Sequence, residues 1–136
     1  MKKEKVYVIG KFEEKERVRN LYQKLSEIGC EISYDWTSHI PIKPYSENPE
    51  LANQYAENEM RGIAKSDIVI CLTSKEGTTS KLEVGGAMLL NFTGKKPRRI
   101  YLVGEFNTAS PWFMSRRVKR FDSEDEVIAD LSSNNL

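Results

Sequence analysis

Four short apolar runs, rich in β-branched residues, recur along this chain and are separated by segments with helical periodicity. The runs are KVYVIG at 5–10, CEISYDW at 30–36, DIVICL at 67–72 and RIYLV at 99–103. Continuous apolar runs of this length predict strands that are buried on both faces of a sheet. Strands that alternate with helices favour parallel pairing and right-handed crossovers. The sequence therefore predicts a doubly wound α/β fold with a parallel sheet of about five strands and helices on both faces.

Helical spacing fills most of the segments between these runs. Apolar residues recur at three- and four-residue steps over 13–28, and a second helix is predicted over 49–63, with Pro49 at its first position. Further helices are predicted over 80–92 and 123–131. The segment 37–48 has no clear period and is predicted to be a long loop, of a kind that often carries binding residues.

Length and charge limit the classes of protein that fit. The 136 residues, 39% of them hydrophobic, match one domain over 1–136. Lys and Arg total 21 against 20 for Asp and Glu, so no strong attraction to nucleic acid or to an anionic membrane is expected. The apolar run near the start is too short for a signal peptide or a membrane span, which favours a cytoplasmic protein. Cys30 and Cys71 are expected to be small buried hydrophobes, not a disulfide.

Several well-known site patterns are missing from the chain. No GxGxxG follows the first strand and no GxxxxGK[ST] occurs, so the glycine frameworks for dinucleotides and P-loop phosphates are absent. With one histidine and no paired cysteines, neither a zinc site nor a Ser-His-Asp triad is supported. The sequence therefore predicts no metal and no cofactor. For His39, a solvated position in its loop is favoured over contact with a ligand.

Two glutamates remain as candidates for chemistry. Glu83 is predicted to lie in the first turn of a helix after the central strand, where free N–H groups and the helix dipole favour its ionised form. Glu59 lies on the apolar face of the preceding helix, where partial desolvation raises the pKa of a carboxyl group. Two unlike carboxylates can divide the nucleophile and acid roles of a retaining glycosidase.

Each acidic candidate also has a purely structural explanation. Ser80-x-x-Glu83 matches a capping box, and the spacing alone favours that role. Glu59 stands at the edge of its apolar stripe and can reach solvent, so periodicity leaves its role open. For Asp67, which opens the third apolar run, a cap or turn role is favoured over chemistry.

The fold class gives an independent indication of where a ligand binds. In doubly wound sheets, ligands collect at the carboxyl ends of the strands. This rule directs attention to 10–12, 35–39, 73–79 and 104–107.

Several segments resemble the nucleoside 2-deoxyribosyltransferase family. They are KVYVIGKF at the start, YDWT after the second run, ENEMRGIAKSDIVICL, and EGTTSKLEVGGAMLLNFTGKKPRRIYLVG. The most specific part is similar to the family's D-x-x-x-I-x-x-[AS]-D motif, which precedes an apolar run, a Gly-Thr segment and E-x-G-x-A. The resemblance implies that Glu83 attacks the anomeric carbon of a sugar, and that Glu59 is the acid that assists it.

The chain departs from the family pattern at two positions. The family's acid is normally aspartate, and Glu59 is one methylene longer. Six positions before the nucleophile, where an acidic or serine residue is frequent, this chain has Gly77. The substrate-binding residues that the resemblance implies are Tyr7, Gly10, Phe12, Asp35, Trp36, Gly77, Thr78, Thr79 and Ser80.

The resemblance implies a homo-oligomeric enzyme that cleaves or transfers the N-glycosidic bond of a nucleoside or nucleotide through a glycosyl-enzyme. Cleavage of NAD at its nicotinamide bond stays open. The main alternative is a binding module of the same fold, in which Glu83 only caps its helix. A nucleic-acid role rests on Arg98 and Arg99 and on the basic cluster at 116–120, for which the balanced charge favours a solvated or interfacial surface.

Overall fold

The computed structural model describes residues 2–133 as a parallel β-sheet between two pairs of helices. The strands are β1 (Lys5–Ile9), β2 (Glu31–Ile32), β3 (Ile68–Leu72), β4 (Arg99–Val103) and β5 (Val118–Phe121). The helices are α1 (Lys15–Glu27), α2 (Pro49–Ala64), α3 (Thr78–Phe92) and α4 (Glu124–Ser133).

The five strands are all parallel and follow the order β2-β1-β3-β4-β5. Helix α1 packs beside α4, and α2 packs beside α3, so that two helices cover each face of the sheet. The doubly wound fold predicted from the sequence is confirmed. The chain leaves β1 toward one edge of the sheet and β3 toward the other, which creates a crevice between the carboxyl ends of these two strands.

The central strands form the core, as their continuous apolar runs predict. Every residue of β3 is at most 3% exposed, and the last four residues of β1 are fully buried. Cys30 and Cys71 are both buried free thiols, and burial raises the pKa of Cys30 to about 11 and that of Cys71 to about 12. Within residues 2–133, no helix combines the length and the apolar character needed to cross a membrane.

The second strand is much shorter than the predicted run over 30–36, because local hydrogen bonds draw the chain away from the sheet. The Asp35 carboxylate accepts a 2.8 Å hydrogen bond from the backbone N–H of Thr37 and thereby caps a 3-10 turn. The indole N–H of Trp36 donates a 2.7 Å hydrogen bond to the Val8 carbonyl. Strand pairing therefore ends at Ile32.

The edge strand β5 has no counterpart among the predicted apolar runs. It arises from the basic cluster at 116–120, because an edge strand needs to bury only one of its faces. Val118 is buried against the sheet, while Lys119 and Arg120 are exposed. Lys119 pairs with Asp130 at 3.0 Å, and Arg120 donates to the Phe113 carbonyl at 2.8 Å. Two of the cluster's cations thus have partners within the chain.

Candidate active site

Glu83 on α3 is hydrogen-bonded to the central strand β1. The hydroxyl of Tyr7, a fully buried residue, donates a 2.9 Å hydrogen bond to Oε2 of Glu83. The pKa of Glu83 is raised from 4.5 to about 8, first by burial and then by the charge of Glu59, while the Tyr7 hydrogen bond acts in the opposite direction. A carboxyl group with a pKa this far from its usual range is a candidate for chemistry.

The capping-box interpretation of Ser80 and Glu83 is wrong. Helix α3 begins at Thr78 after Gly77, whose φ of +116° favours glycine, so Glu83 lies in the second turn. Its carboxylate bonds to Tyr7 instead of a helix amide. The expectation that the helix N-terminus keeps Glu83 ionised is also wrong, because burial dominates its pKa.

Glu59 projects from α2 into the environment of Glu83. Its side chain is 19% exposed, and burial raises its pKa from 4.5 to about 7. The partial desolvation predicted from the apolar stripe is confirmed. The charge of Glu59 raises the pKa values of both Glu83 and Tyr7. The structure therefore brings Glu59, Glu83 and Tyr7 into one electrostatic unit.

His39 is not a solvated residue, contrary to the sequence interpretation. Its side chain is 10% exposed and its Nδ1 lies 3.4 Å from Oε2 of Glu59. Its Nε2 forms a 2.6 Å hydrogen bond with the hydroxyl of Tyr34, and its ring stacks on Tyr55 at a centroid distance of 3.6 Å. Burial lowers the pKa of His39, and the charge of Asp35 opposes that shift.

Gly62 allows α2 to approach the other site residues closely. A Cβ at this position would lie 2.7 Å from Cβ of Tyr34 and 3.1 Å from the ring of Tyr7. Tyr55, Glu59 and Gly62 are spaced four and three residues apart and so share one face of the helix. That spacing is the sequence signal that predicts a shared position for these three residues on one side of α2.

Several other predicted substrate-binding residues are engaged in structural contacts. A Cβ on Gly10 would lie 3.0 Å from Cγ2 of Val18, so glycine allows close packing there. Phe12 begins a 3-10 turn, and the Lys15 ammonium lies 5.0 Å from the centre of its ring. Asp35 and Trp36 form the local hydrogen bonds described above. These contacts position the loops around the sheet edge.

The start of α3 holds the remaining predicted residues. Thr78 and Thr79 are exposed in the first turn, and Ser80 is buried. Gly77 lies against Lys11, because a Cβ at Gly77 would be 3.3 Å from Cδ of that lysine. This end of α3 therefore faces the loop that follows β1.

Asp67 has the structural role that was favoured for it. Its Oδ2 accepts a 2.9 Å hydrogen bond from the backbone N–H of Lys5, and its Oδ1 lies 2.9 Å from Nζ of Lys96. Within the part of the chain that the structure describes, no group of three or more His, Cys, Asp or Glu side chains is arranged to hold a metal ion.

A polar cleft of about 600 Å³ opens at the carboxyl ends of the central strands. Three of the four segments that the fold rule indicated contribute to it, whereas 35–39 does not. Its lining residues are Lys11, Glu13, Glu14, Arg17, Thr73, Ser74, Lys75, Glu76, Gly104, Glu105, Phe106 and Asp122. Neither Glu59 nor Glu83 lines this cleft.

Comparison with known proteins finds similarity among solved structures. No family model matches the chain, and no curated protein matches it. Among solved structures, the chain is similar to the CMP N-glycosidase BcmB of Clostridium botulinum, with a TM-score of 0.61 and 19% identity over 96% of this chain and 99% of that one. The chain has the fold of this enzyme. The solved structure therefore confirms the predicted fold class.

Proposed function

We propose that this chain is a cytoplasmic enzyme that cleaves or transfers the N-glycosidic bond of a nucleoside or nucleotide, with Glu83 as nucleophile and Glu59 as acid. The observation that carries the proposal is the pair of partly buried carboxyl groups with pKa values raised to about 8 for Glu83 and about 7 for Glu59. The charge of Glu59 contributes to the raised pKa of Glu83. The fold of a CMP N-glycosidase and the E-x-G-x-A motif at Glu83 support the same assignment.

Proton placement explains how two such groups divide the work. Two coupled carboxyl groups lose their protons in two steps that belong to the pair, so an intermediate pH range exists in which the pair holds one proton. Because the pKa of Glu83 is the higher of the two, most molecules with one proton carry it on Glu83. The reactive form is the minor one with the proton on Glu59, in which the Tyr7 hydroxyl stabilises the ionised carboxylate of Glu83. Activity should accordingly rise and fall with pH around neutrality.

The proposed reaction proceeds in two balanced steps. In the first, an oxygen of Glu83 bonds to the anomeric carbon as the bond to the base nitrogen breaks, and Glu59 donates its proton to the departing base. In the second, the Glu59 carboxylate takes a proton from water or from a second base, which attacks the same carbon and releases Glu83. Sugar configuration is retained, because the carbon is inverted twice.

A substrate panel tests this proposal directly. Wild-type protein is incubated with ribo- and deoxyribonucleosides, their 5′-monophosphates including CMP, and NAD, and the free base is measured by chromatography. Base release from a nucleoside or monophosphate, lost in Glu83→Gln, is the expected result. Release of nicotinamide alone would favour the NAD-cleaving alternative. Ligand binding without release of any base would contradict an enzyme and favour the binding module.

We also propose that the chain forms a homo-oligomer, as the family resemblance implies. The exposed side chains of Phe92, Trp112 and Met114 leave apolar surface in water, and the first two line a groove of about 370 Å³. A second copy would remove this surface from solvent. Light scattering on the purified protein should give a multiple of 15.6 kDa. A monomer mass throughout the micromolar range would contradict this proposal.

A further inference from the structure

The imidazole of His39 is held from three directions beside Glu59. Its ring lies parallel to that of Tyr55, with an interplanar angle of 2°. Its Nε2 is 2.6 Å from the Tyr34 hydroxyl, and its Nδ1 is 3.4 Å from Oε2 of Glu59. The Tyr55 hydroxyl in turn accepts a 3.1 Å hydrogen bond from the backbone N–H of Ile40, next to the histidine. A solvated histidine needs none of these restraints.

The groups on either side of His39 indicate which ring nitrogen carries the proton. Glu59, the neighbour of Nδ1, offers only acceptor oxygens when it is ionised, whereas the Tyr34 hydroxyl beside Nε2 can donate or accept. The Tyr34 hydroxyl is then free to donate to Nε2. A neutral imidazole has one donor and one acceptor nitrogen, which places its proton on Nδ1, facing Glu59.

We infer that His39 is a positioning residue that directs an Nδ1–H at the Glu59 carboxyl group and thereby fixes its orientation for proton transfer to the departing base. The inference rests on the proposed function of Glu59, and it adds a residue that no sequence motif indicated. Burial raises the pKa of Glu59. A donor aimed at a carboxylate favours its ionised form, so we expect the Nδ1–H of His39 to oppose that rise.

The other ionisable groups around this pair come from separate elements. Glu83 reaches it from α3 and Tyr7 from β1, and each is coupled electrostatically to Glu59. Tyr34 is likewise coupled to Glu59, and Asp35 acts on His39. Of these groups, only Tyr34 is hydrogen-bonded to the imidazole. Substitutions at His39 therefore change its contacts with Glu59, Tyr34 and Tyr55 and leave the charge of Glu83 in place.

Two variants separate positioning from packing. His39→Phe keeps a flat ring that can stack on Tyr55 and removes the Nδ1 donor. His39→Asn loses the ring but places an amide N–H close to the position of Nδ1. If His39 acts through its donor, His39→Phe should lower kcat about tenfold with little change in KM, and His39→Asn should retain more activity. If the ring serves only for packing, His39→Phe will retain more activity than His39→Asn.

Direct titration of Glu59 by carboxyl-carbon NMR gives a readout that needs no substrate. The pKa of Glu59 should rise by about one unit in His39→Phe and stay near the wild-type value in His39→Asn. The alkaline limb of kcat should move to higher pH by the same amount, because Glu59 must be protonated to act. Ser38→Ala, on the same loop, serves as the control that changes neither measurement.

The outcomes distinguish this inference from the proposed function. An unchanged Glu59 pKa in His39→Phe, in a protein that releases base, overturns the inference and leaves the function intact. A protein that releases no base from any substrate contradicts the function, while the titration still decides whether His39 controls Glu59. If His39→Phe does not fold, His39→Leu, which also removes the Nδ1 donor, should raise the pKa of Glu59 in the same direction, and no shift there is equally contradictory.

Discussion

The hydroxyl of Tyr7 donates a 2.9 Å hydrogen bond to Oε2 of Glu83 and so connects the central strand of the sheet to the helix that carries the candidate nucleophile. Tyr7 is fully buried, and its hydrogen bond lowers the pKa of Glu83 against the raising effects of burial and of Glu59. One bond thus both orients the carboxylate and favours its ionised form. This geometry leads to predictions for activity, stability and packing.

Removing the Tyr7 hydroxyl should impair activity through the charge state of Glu83. In Tyr7→Phe, the pKa of Glu83 should rise further above 8, so less of the carboxylate is ionised at neutral pH. We expect kcat to fall by about tenfold or more and the acidic limb of the pH profile to move to higher pH. Steady-state rates measured between pH 5 and pH 10 check this prediction.

Tyr101→Phe is the matched control for this experiment. Tyr101 lies on β4 and donates a 2.7 Å hydrogen bond to Asp130, so its substitution also removes a bond between a buried tyrosine and a carboxylate. Each variant should lose about 1 kcal/mol of stability. Only Tyr7→Phe should shift the pH profile, and equal shifts in the two variants would mean that the effect is not specific to Glu83.

Stability should fall as pH rises through the neutral range. The folded pKa values of Glu83 and Glu59, about 8 and about 7, lie above their usual value of 4.5. An unfolded chain releases these protons first, so the free energy of unfolding decreases from about pH 4.5 to about pH 8 and then levels off. Glu83→Gln removes the contribution of Glu83 to this decrease. Its free energy of unfolding, compared with that of the wild type, should therefore rise by on the order of 2 kcal/mol between pH 5 and pH 8.

Urea unfolding at both pH values measures this difference. Glu57→Gln, an exposed substitution on α2, should follow the wild-type dependence. A Glu83→Gln variant whose stability changes with pH in parallel with wild type would show that Glu83 is ionised in the folded protein already at pH 5.

Gly62→Ala should disturb the site through packing alone. The added Cβ would lie 2.7 Å from Cβ of Tyr34 and 3.1 Å from the Tyr7 ring, both of which must move. We expect a loss of about 1 to 3 kcal/mol of stability together with reduced activity. Gly86→Ala on α3, where no atom lies within 4 Å of the new Cβ, should be neutral or stabilising by up to about 1 kcal/mol. Thermal unfolding and base-release assays compare the two variants. Equal stability and activity in both would argue against the close approach of α2 to Tyr34 and Tyr7.

The central fold could be read from the sequence, because its strands are buried on both faces and leave an uninterrupted apolar signal. The run 67–72 became β3, and helical spacing over 49–63 matched α2. The edges of the sheet gave weaker signals. β5 contains two exposed basic residues among its four, and β2 ends after Ile32, where side-chain hydrogen bonds from a capping turn compete with the sheet ladder.

The site was predictable only where one helix face carried the pattern. Glu59 follows from the apolar stripe of α2, and its raised pKa is a consequence of that burial. The surroundings of His39 could not be foreseen, because Tyr34 and Tyr55 come from a loop and a helix that meet only in the folded chain. The environment of Glu83 was misjudged for the same reason, since the local capping motif says nothing of Tyr7, which is 76 residues away in the chain.

The most direct test of the account is to detect the covalent glycosyl-enzyme. The protein is incubated with the substrate that it cleaves fastest, quenched in acid, digested and analysed by peptide mass spectrometry. The account predicts one added sugar or sugar-phosphate mass on the peptide that contains Glu83, and none in Glu83→Gln. Base release by wild-type protein without an adduct on that peptide, matched by undiminished release in Glu83→Gln, would contradict it.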